Sequence, residues 1–198
     1  GRYIMVYNGE VYNYKEIAKE LGNLNWMTNS DSEVILESFS KWGVEFIHKL
    51  NGMFAISIYD QIKNKLFLFR DRMGIKPLYY FNNEKELIFA SELKAVKQIQ
   101  KKKNINYKSV SAYLHLGYIP SNNTIYQNIF KVTPGSYIEY SNNNLKEKSY
   151  WNMKNKIHSN TIDDYNISKA NLKSLIQNSV EKRLISDVPI GTFLSGGT

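Results

Sequence analysis

Cysteine is absent from all 198 residues of this chain. That excludes a disulfide framework and removes cysteine as a clue to redox compartment. Long apolar runs are absent too. None approaches the roughly 20 residues that a membrane-spanning helix needs. Residues 1–10 lack the basic head, the long apolar stretch and the small-residue cleavage site of a secretory signal. These absences make a cytoplasmic protein the default expectation. Histidine is scarce. His48, His115 and His158 stand far apart, and none has a second His or Cys at metal-ligand spacing. They read as ordinary structural or surface residues, and no metal site is expected. No internal repeat is visible.

What is present is a composition able to fold. Hydrophobic residues make up 42% and aromatic residues 14%, enough to bury a substantial core. Charged residues are 22%, which suits a globular chain rather than a disordered one. The length suits one large domain, or one domain and the start of another. The formal charge is +8 and there are 15 tyrosines, which raises a basic nucleic-acid-binding module as one function class. Such a module groups aromatic and basic residues on one face. Here aromatics sit in apolar segments such as Phe54-Ala55-Ile56 and Leu66-Phe67-Leu68-Phe69, where core packing accounts for them. The tight basic run, Lys101-Lys102-Lys103, reads as a solvated loop. Neither nucleic acid nor membrane is an expected partner.

Residues 3–7 read as a buried strand stopped by Asn8-Gly9. Asn13 is set to cap a helix, with Glu16 three residues on and Gly22 past its end. Ser30, with Glu33 at the matching position, opens a second helix that runs toward Trp42-Gly43. Its residues Val34, Ile35, Phe39 and Trp42 share one apolar face. The centre is strand-rich. Phe54, Ile56 and Ile58 alternate with Ala55, Ser57 and Tyr59, the period of a strand with two different faces. Residues 60–64 form a turn and 66–69 the partner strand. Residues 78–81 and 87–90 form a further hairpin across Asn82-Asn83, and adjacent hairpins imply antiparallel pairing. A short helix over 110–116 ends at Gly117. Residues 136–140 and 146–151 make a last hairpin around Asn142-Asn143-Asn144.

From residue 152 the pattern is lost, and 152–163 reads as a linker. Residues 164–184 are then helical, with Ile167, Ala170, Leu175, Ile176 and Val180 near one face. Residues 188–194 read as a buried strand leading into Ser195-Gly196-Gly197. The composite is an α+β domain over 1–151, followed over 164–198 by the start of an α/β domain.

Four motifs invite chemistry, each with a plainer account beside it. Asn8-Gly9-Glu10 suits a tight turn, or an oxyanion hole made of a side-chain amide and a backbone N–H. Ser30-Asp31-Ser32-Glu33 suits a helix cap. The cap leaves Asp31 unexplained, and its carboxylate is suited to a substrate ammonium. The block from Arg70 to Tyr79 mixes charge, Gly and Pro between strands, as a loop at a domain surface would. Leu194-Ser195-Gly196-Gly197, after a strand, has the make-up of a phosphate-binding loop.

The order of the motifs carries more than any one of them. Tyr-Asn-Gly-Glu-Val-Tyr-Asn at 7–13 precedes Ser-Asp-Ser-Glu-Val-Ile-Leu at 30–36 and Leu-Asn-Gly-Met-Phe-Ala at 50–55. Then come the Arg-Asp-Arg block at 70, Phe-Ala-Ser-Glu-Leu-Lys-Ala at 89–95 and Leu-Gly-Tyr-Ile-Pro at 116–120. Pro-Gly-Ser-Tyr at 134–137 and Asp-Val-Pro-Ile-Gly-Thr-Phe-Leu-Ser-Gly-Gly at 187–197 complete the set. Over essentially its whole length the chain resembles the glutamine-hydrolysing asparagine synthetase family.

That resemblance implies an N-terminal-nucleophile (Ntn) hydrolase-type αββα sandwich of antiparallel sheets. It implies next the start of an adenine-nucleotide alpha-hydrolase-like α/β domain. The implied reaction hydrolyses glutamine and passes ammonia to ATP-activated aspartate, giving asparagine, glutamate, AMP and pyrophosphate. Glutamine, aspartate and ATP are the implied small-molecule substrates, with Mg2+ and a homodimer expected from the family. Asn8 and Gly9 match its oxyanion-hole positions. Asn8, Gly9, Glu10 and Asp31 match glutamine-binding positions, and Leu194, Ser195, Gly196 and Gly197 match the start of its ATP loop. The family's nucleophile is an N-terminal Cys, which this chain lacks. The expectation is a chain cut short at both ends and inactive by itself as a glutaminase. Paralogues that amidate a sugar acid or a peptide, or close a ring, share the same motifs.

Overall fold

The computed structural model describes residues 1–22, 24–83, 85–99, 104–157, 162, 164–185, 188–193 and 196, leaving aside the Lys156 side chain. The Lys101-Lys102-Lys103 run and His158 lie outside these residues. The chain divides into two compact units, residues 1–153 and 154–198.

In the first unit, strand β1 spans Tyr3–Val11 and runs straight through Asn8-Gly9, so the expected turn does not form. Gly9 serves close approach instead. A Cβ built on it would lie 2.2 Å from the Met53 carbonyl oxygen, and one on Gly52 would lie 2.1 Å from that of Glu10. The two glycines let β1 pair antiparallel with β2 (Gly52–Asp60) from Tyr3 opposite Asp60 to Val11 opposite Gly52. Nor is β1 buried on both faces. It is an edge strand. Tyr3, Met5 and Tyr7 pack against the core, while Ile4 and Val6 are 53% and 62% exposed.

β3 (Lys65–Arg70), β7 (Ser136–Ser141) and β8 (Asn144–Ser149) complete a five-stranded antiparallel sheet in the order β1-β2-β3-β7-β8. β4 (Tyr79–Asn82), β5 (Leu87–Ala90) and β6 (Ile129–Lys131) form a second sheet in the order β5-β4-β6. The strand alternation then sorts side chains into layers. Phe54, Ile56, Ile58, Phe67 and Phe69 meet Val34, Ile35 and Phe39 of a helix on one face of the large sheet. Ala55, Leu68 and Ile138 meet Tyr80, Phe89 and Phe130 of the small sheet on the other. Phe81 and Ile129 turn to the far side of the small sheet, against Val96 of α3 (Leu93–Ile99). Helix, sheet, sheet and helix follow one another, the αββα order that the family resemblance implied.

α1 (Tyr14–Leu21) does not use its expected cap. The Asn13 side chain instead ties two later residues, donating to the Lys49 carbonyl and accepting from the Asn51 N–H. α2 (Asp31–Trp42) is capped as expected, Ser30 Oγ accepting from the Ser32 N–H at 3.1 Å. Glu33 reaches beyond the cap to the N–H groups of Met27 and Thr28, pinning the loop before the helix. α4 (Tyr107–Leu116) starts three residues before the expected 110, capped by Asn106, and ends at Gly117 with φ 77°. The sequence reading missed α3, β6 and the 3-10 turn at Gly43–His48, all too short for periodicity to register.

In the second unit, α5 (Lys154–Ile157) lies in the stretch read as linker, and α6 spans Tyr165–Lys182. No residue of α6 is buried, so its expected apolar face, Leu175 and Ile176 included, is exposed. The expected buried strand over 188–194 does not form. Residues 188–193 are exposed and irregular, and Leu194 lies outside the described residues. A strand needs a neighbour for its backbone groups, and this unit has no strand among its described residues.

Candidate functional site

The first unit's site residues gather on the outer edge of β1. Asn8 Nδ2 donates to Ser91 Oγ at 3.1 Å, from the loop after β5. Phe54, opposite Gly9, has its backbone N–H and C=O turned to Asp71 on the other side of β2, at 3.2 and 2.9 Å. Two residues beyond Gly9, the Val11 N–H leaves the sheet and donates to Asp31 Oδ2 at 3.0 Å. The two-residue period of a strand puts the Gly9 N–H on that same outer edge. Glu10 shares the strand face of Asn8 and is half-buried.

Asp31 is the first residue of α2, where the helix dipole favours a carboxylate. Its Oδ2 also accepts the Tyr7 hydroxyl at 2.7 Å. Burial, and then the hydrogen bond to Asp31, push the Tyr7 phenol well above its ordinary pKa, so it remains a donor. Among the described residues, Asp31 Oδ1 has the Ser30 and Ser32 hydroxyls alone, each at 3.5 Å. Asn8, Gly9 and Glu10 are thus consecutive on β1, and Asp31, from α2, reaches the same strand at Tyr7 and Val11. A side-chain amide and an outward backbone N–H on adjacent residues suit a developing oxyanion. A held carboxylate nearby suits a cationic group.

The Arg-Asp-Arg block has structural contacts of the kind expected of it and Met73 and Ile75 are exposed, but its first two residues are buried rather than at the surface. Arg70 and Asp71 are 8% and 1% exposed. Asp71 accepts backbone N–H groups from Phe54, Met73, Ile75 and Lys76. Arg70 donates to the carbonyls of Lys76, Val132 and Gly74. This buried knot holds the end of β3 beside β2 directly behind Gly9. Sequence reasoning missed Tyr7 and Ser91 as partners of Asp31 and Asn8. Their signal was adjacency for Tyr7 and membership of the Phe-Ala-Ser-Glu block for Ser91.

Of the loop Leu194, Ser195, Gly196 and Gly197, the structure describes Gly196 alone, in an exposed bend. The other three lie outside the described residues. Exposed His48 lies within 3.6 Å of Glu45, and His115 is exposed on α4. Among the described residues no three His, Asp or Glu are grouped to hold a metal ion. No described helix is long and apolar enough to cross a membrane.

Comparison with known proteins gives the family. Residues 1–151 match the glutamine amidotransferase domain family, and residues 171–198 match the asparagine synthase family. The chain belongs to the glutamine amidotransferase domain family. Along nearly all its length it is similar to glutamine-hydrolysing asparagine synthetases. It is 42% identical to putative asparagine synthetase 2 of Methanocaldococcus jannaschii, over 98% of this chain and 38% of that protein. It is 36% identical to asparagine synthetase 3 of Bacillus subtilis, over 98% of this chain and 32% of that one. The chain thus spans 38% and 32% of these two relatives' length. Among solved structures it matches the glutamine phosphoribosylpyrophosphate amidotransferase of B. subtilis with a TM-score of 0.51 at 18% identity. That match covers 75% of this chain and 29% of the other. At such identity the likeness is one of fold alone.

Proposed function

We propose that this chain is part of a glutamine-dependent asparagine synthetase, with residues 1–151 holding glutamine and residues 164–198 opening the ATP-using domain. Glutamine hydrolysis would supply ammonia to ATP-activated aspartate, giving asparagine, glutamate, AMP and pyrophosphate. The single observation behind the first half is that Asp31 meets β1 at Tyr7 and Val11, on either side of Asn8 and Gly9. In this reading the Asn8 amide and the Gly9 N–H stabilise the oxyanion formed on attack at the glutamine side-chain amide. Asp31 receives the α-ammonium and Glu10 lines the same pocket. Similarity to the named synthetases supports the second half.

ATP, with Mg2+, supplies the activation of aspartate. Its contacts would begin at Leu194, Ser195, Gly196 and Gly197, where backbone N–H groups of a glycine-rich loop suit a phosphate. A cytoplasmic setting and a homodimer belong to the same reading, by resemblance. The chain has no cysteine to attack the amide, so these 198 residues alone should release no glutamate from glutamine. The test is asparagine formation from aspartate, ATP and glutamine by the product of the complete reading frame around this chain. Failure to form asparagine with either glutamine or free ammonia overturns the proposal.

A further inference from the structure

Asp31 is held from two elements. Its own helix places it at the N-terminus of α2, and β1 grips its Oδ2 with the Tyr7 hydroxyl at 2.7 Å and the Val11 N–H at 3.0 Å. Two well-formed donors on one oxygen fix the plane of the carboxylate. Among the described residues the other oxygen, Oδ1, meets the Ser30 and Ser32 hydroxyls alone, at 3.5 Å, too long to compete with an incoming ammonium. Tyr7 is itself fixed. Its ring packs against the main core, on the strand face opposite Asn8. It therefore brings the rigidity of the core to a group at the sheet edge.

We infer that Tyr7 is a positioning residue for amino-acid recognition: by occupying Asp31 Oδ2, its hydroxyl leaves Oδ1 presented to the α-ammonium of the substrate. This rests on the proposal that the β1 edge holds glutamine. Tyr7 touches no reacting atom in this account. It acts through Asp31, so its removal should affect only ligands that carry the ammonium.

The experiment uses the full chain and two probes, L-glutamine and glutaramic acid, which keeps the amide and carboxyl groups but has no α-amino group. Dissociation constants are measured by calorimetry or NMR titration for the wild type, Tyr7→Phe, Asp31→Asn and the double variant. Tyr7→Phe keeps the ring in the core, and its thermal midpoint is checked beside the binding. The expected result is roughly tenfold weaker binding of L-glutamine by Tyr7→Phe, the order of one hydrogen bond to a charged group, with glutaramic acid unchanged. In the double variant Tyr7→Phe adds nothing to Asp31→Asn, because the effect passes through the carboxylate. Equal loss for both probes, or no loss for either, overturns the role of Tyr7 and leaves the glutamine site standing. A wild-type chain that binds L-glutamine no better than glutaramic acid overturns the ammonium role of Asp31, and Tyr7's with it. A chain that binds neither probe removes the glutamine reading itself.

Discussion

Single residues here often serve a purpose that their type does not announce. Gly9 follows Asn8 in a pair that favours turns, yet it lies in the middle of a nine-residue strand. Its missing side chain is needed because β2 passes too close for any Cβ. Gly9→Ala should therefore destabilise the first unit by roughly 1–3 kcal/mol in urea unfolding, the range for forced overpacking. Gly191→Ala, where a Cβ meets nothing within 4 Å, should leave stability unchanged. Asp60 offers a pH prediction. The Arg2 guanidinium, bound through two nitrogens at 3.1 and 2.7 Å, holds the Asp60 carboxyl down to about 2, helped by the Lys63 and Ile62 N–H groups. An unfolded aspartate titrates near 3.9. A depressed folded pKa adds stability that is complete above that value and is lost as pH falls toward about 2. Thermal unfolding of Asp60→Asn should accordingly start lower than wild type at neutral pH, and the gap should close between pH 4 and 2. A gap independent of pH would falsify the ion-pair account.

At the scale of elements, local signals told strand from helix, and tertiary partners then reassigned caps and loops. Ser30 caps α2 as its sequence suggests, because its hydroxyl needs only the N–H two residues on. Asn13 had the same credentials and was taken by Lys49 and Asn51, more than thirty residues away. No pattern local to Asn13 encodes that competition. The Arg70-Asp71 knot is the larger case. Charge, Gly and Pro together read as a surface loop, whereas four backbone N–H groups satisfy the Asp71 carboxylate inside the protein. Asp71→Ala strands those donors and should cost about 3–5 kcal/mol, read as a drop in the denaturation midpoint. A loss below 1 kcal/mol would mean that the knot is incidental to the fold.

At the scale of the whole molecule, the two units differ in kind. The first has three apolar clusters and layered sheets. In the second, the 18-residue α6 buries no side chain. In proteins most helical stability comes from packing an amphipathic face, which α6 does not do. Residues 1–153 expressed alone should therefore unfold cooperatively with a full aromatic circular-dichroism signal. Residues 154–198 alone should show weak helicity and no cooperative transition. A cooperative transition in the short piece would refute this division of stability.

By itself the sequence determined the alternating strands, the cap of α2, the antiparallel hairpins and the ordered motifs that bring Asn8, Gly9, Glu10 and Asp31 under suspicion. Those features depend on neighbours a few residues apart or on side-chain type, and both are written along the chain. Only the tertiary structure decided that successive hairpins divide between two sheets, that Asn8-Gly9 is an edge strand rather than a turn, and that Tyr7 and Ser91 stand behind the site. Each of these depends on which distant segment competes successfully for a hydrogen-bonding edge or an apolar face. That outcome is a balance over the folded molecule, and no short stretch of sequence holds it.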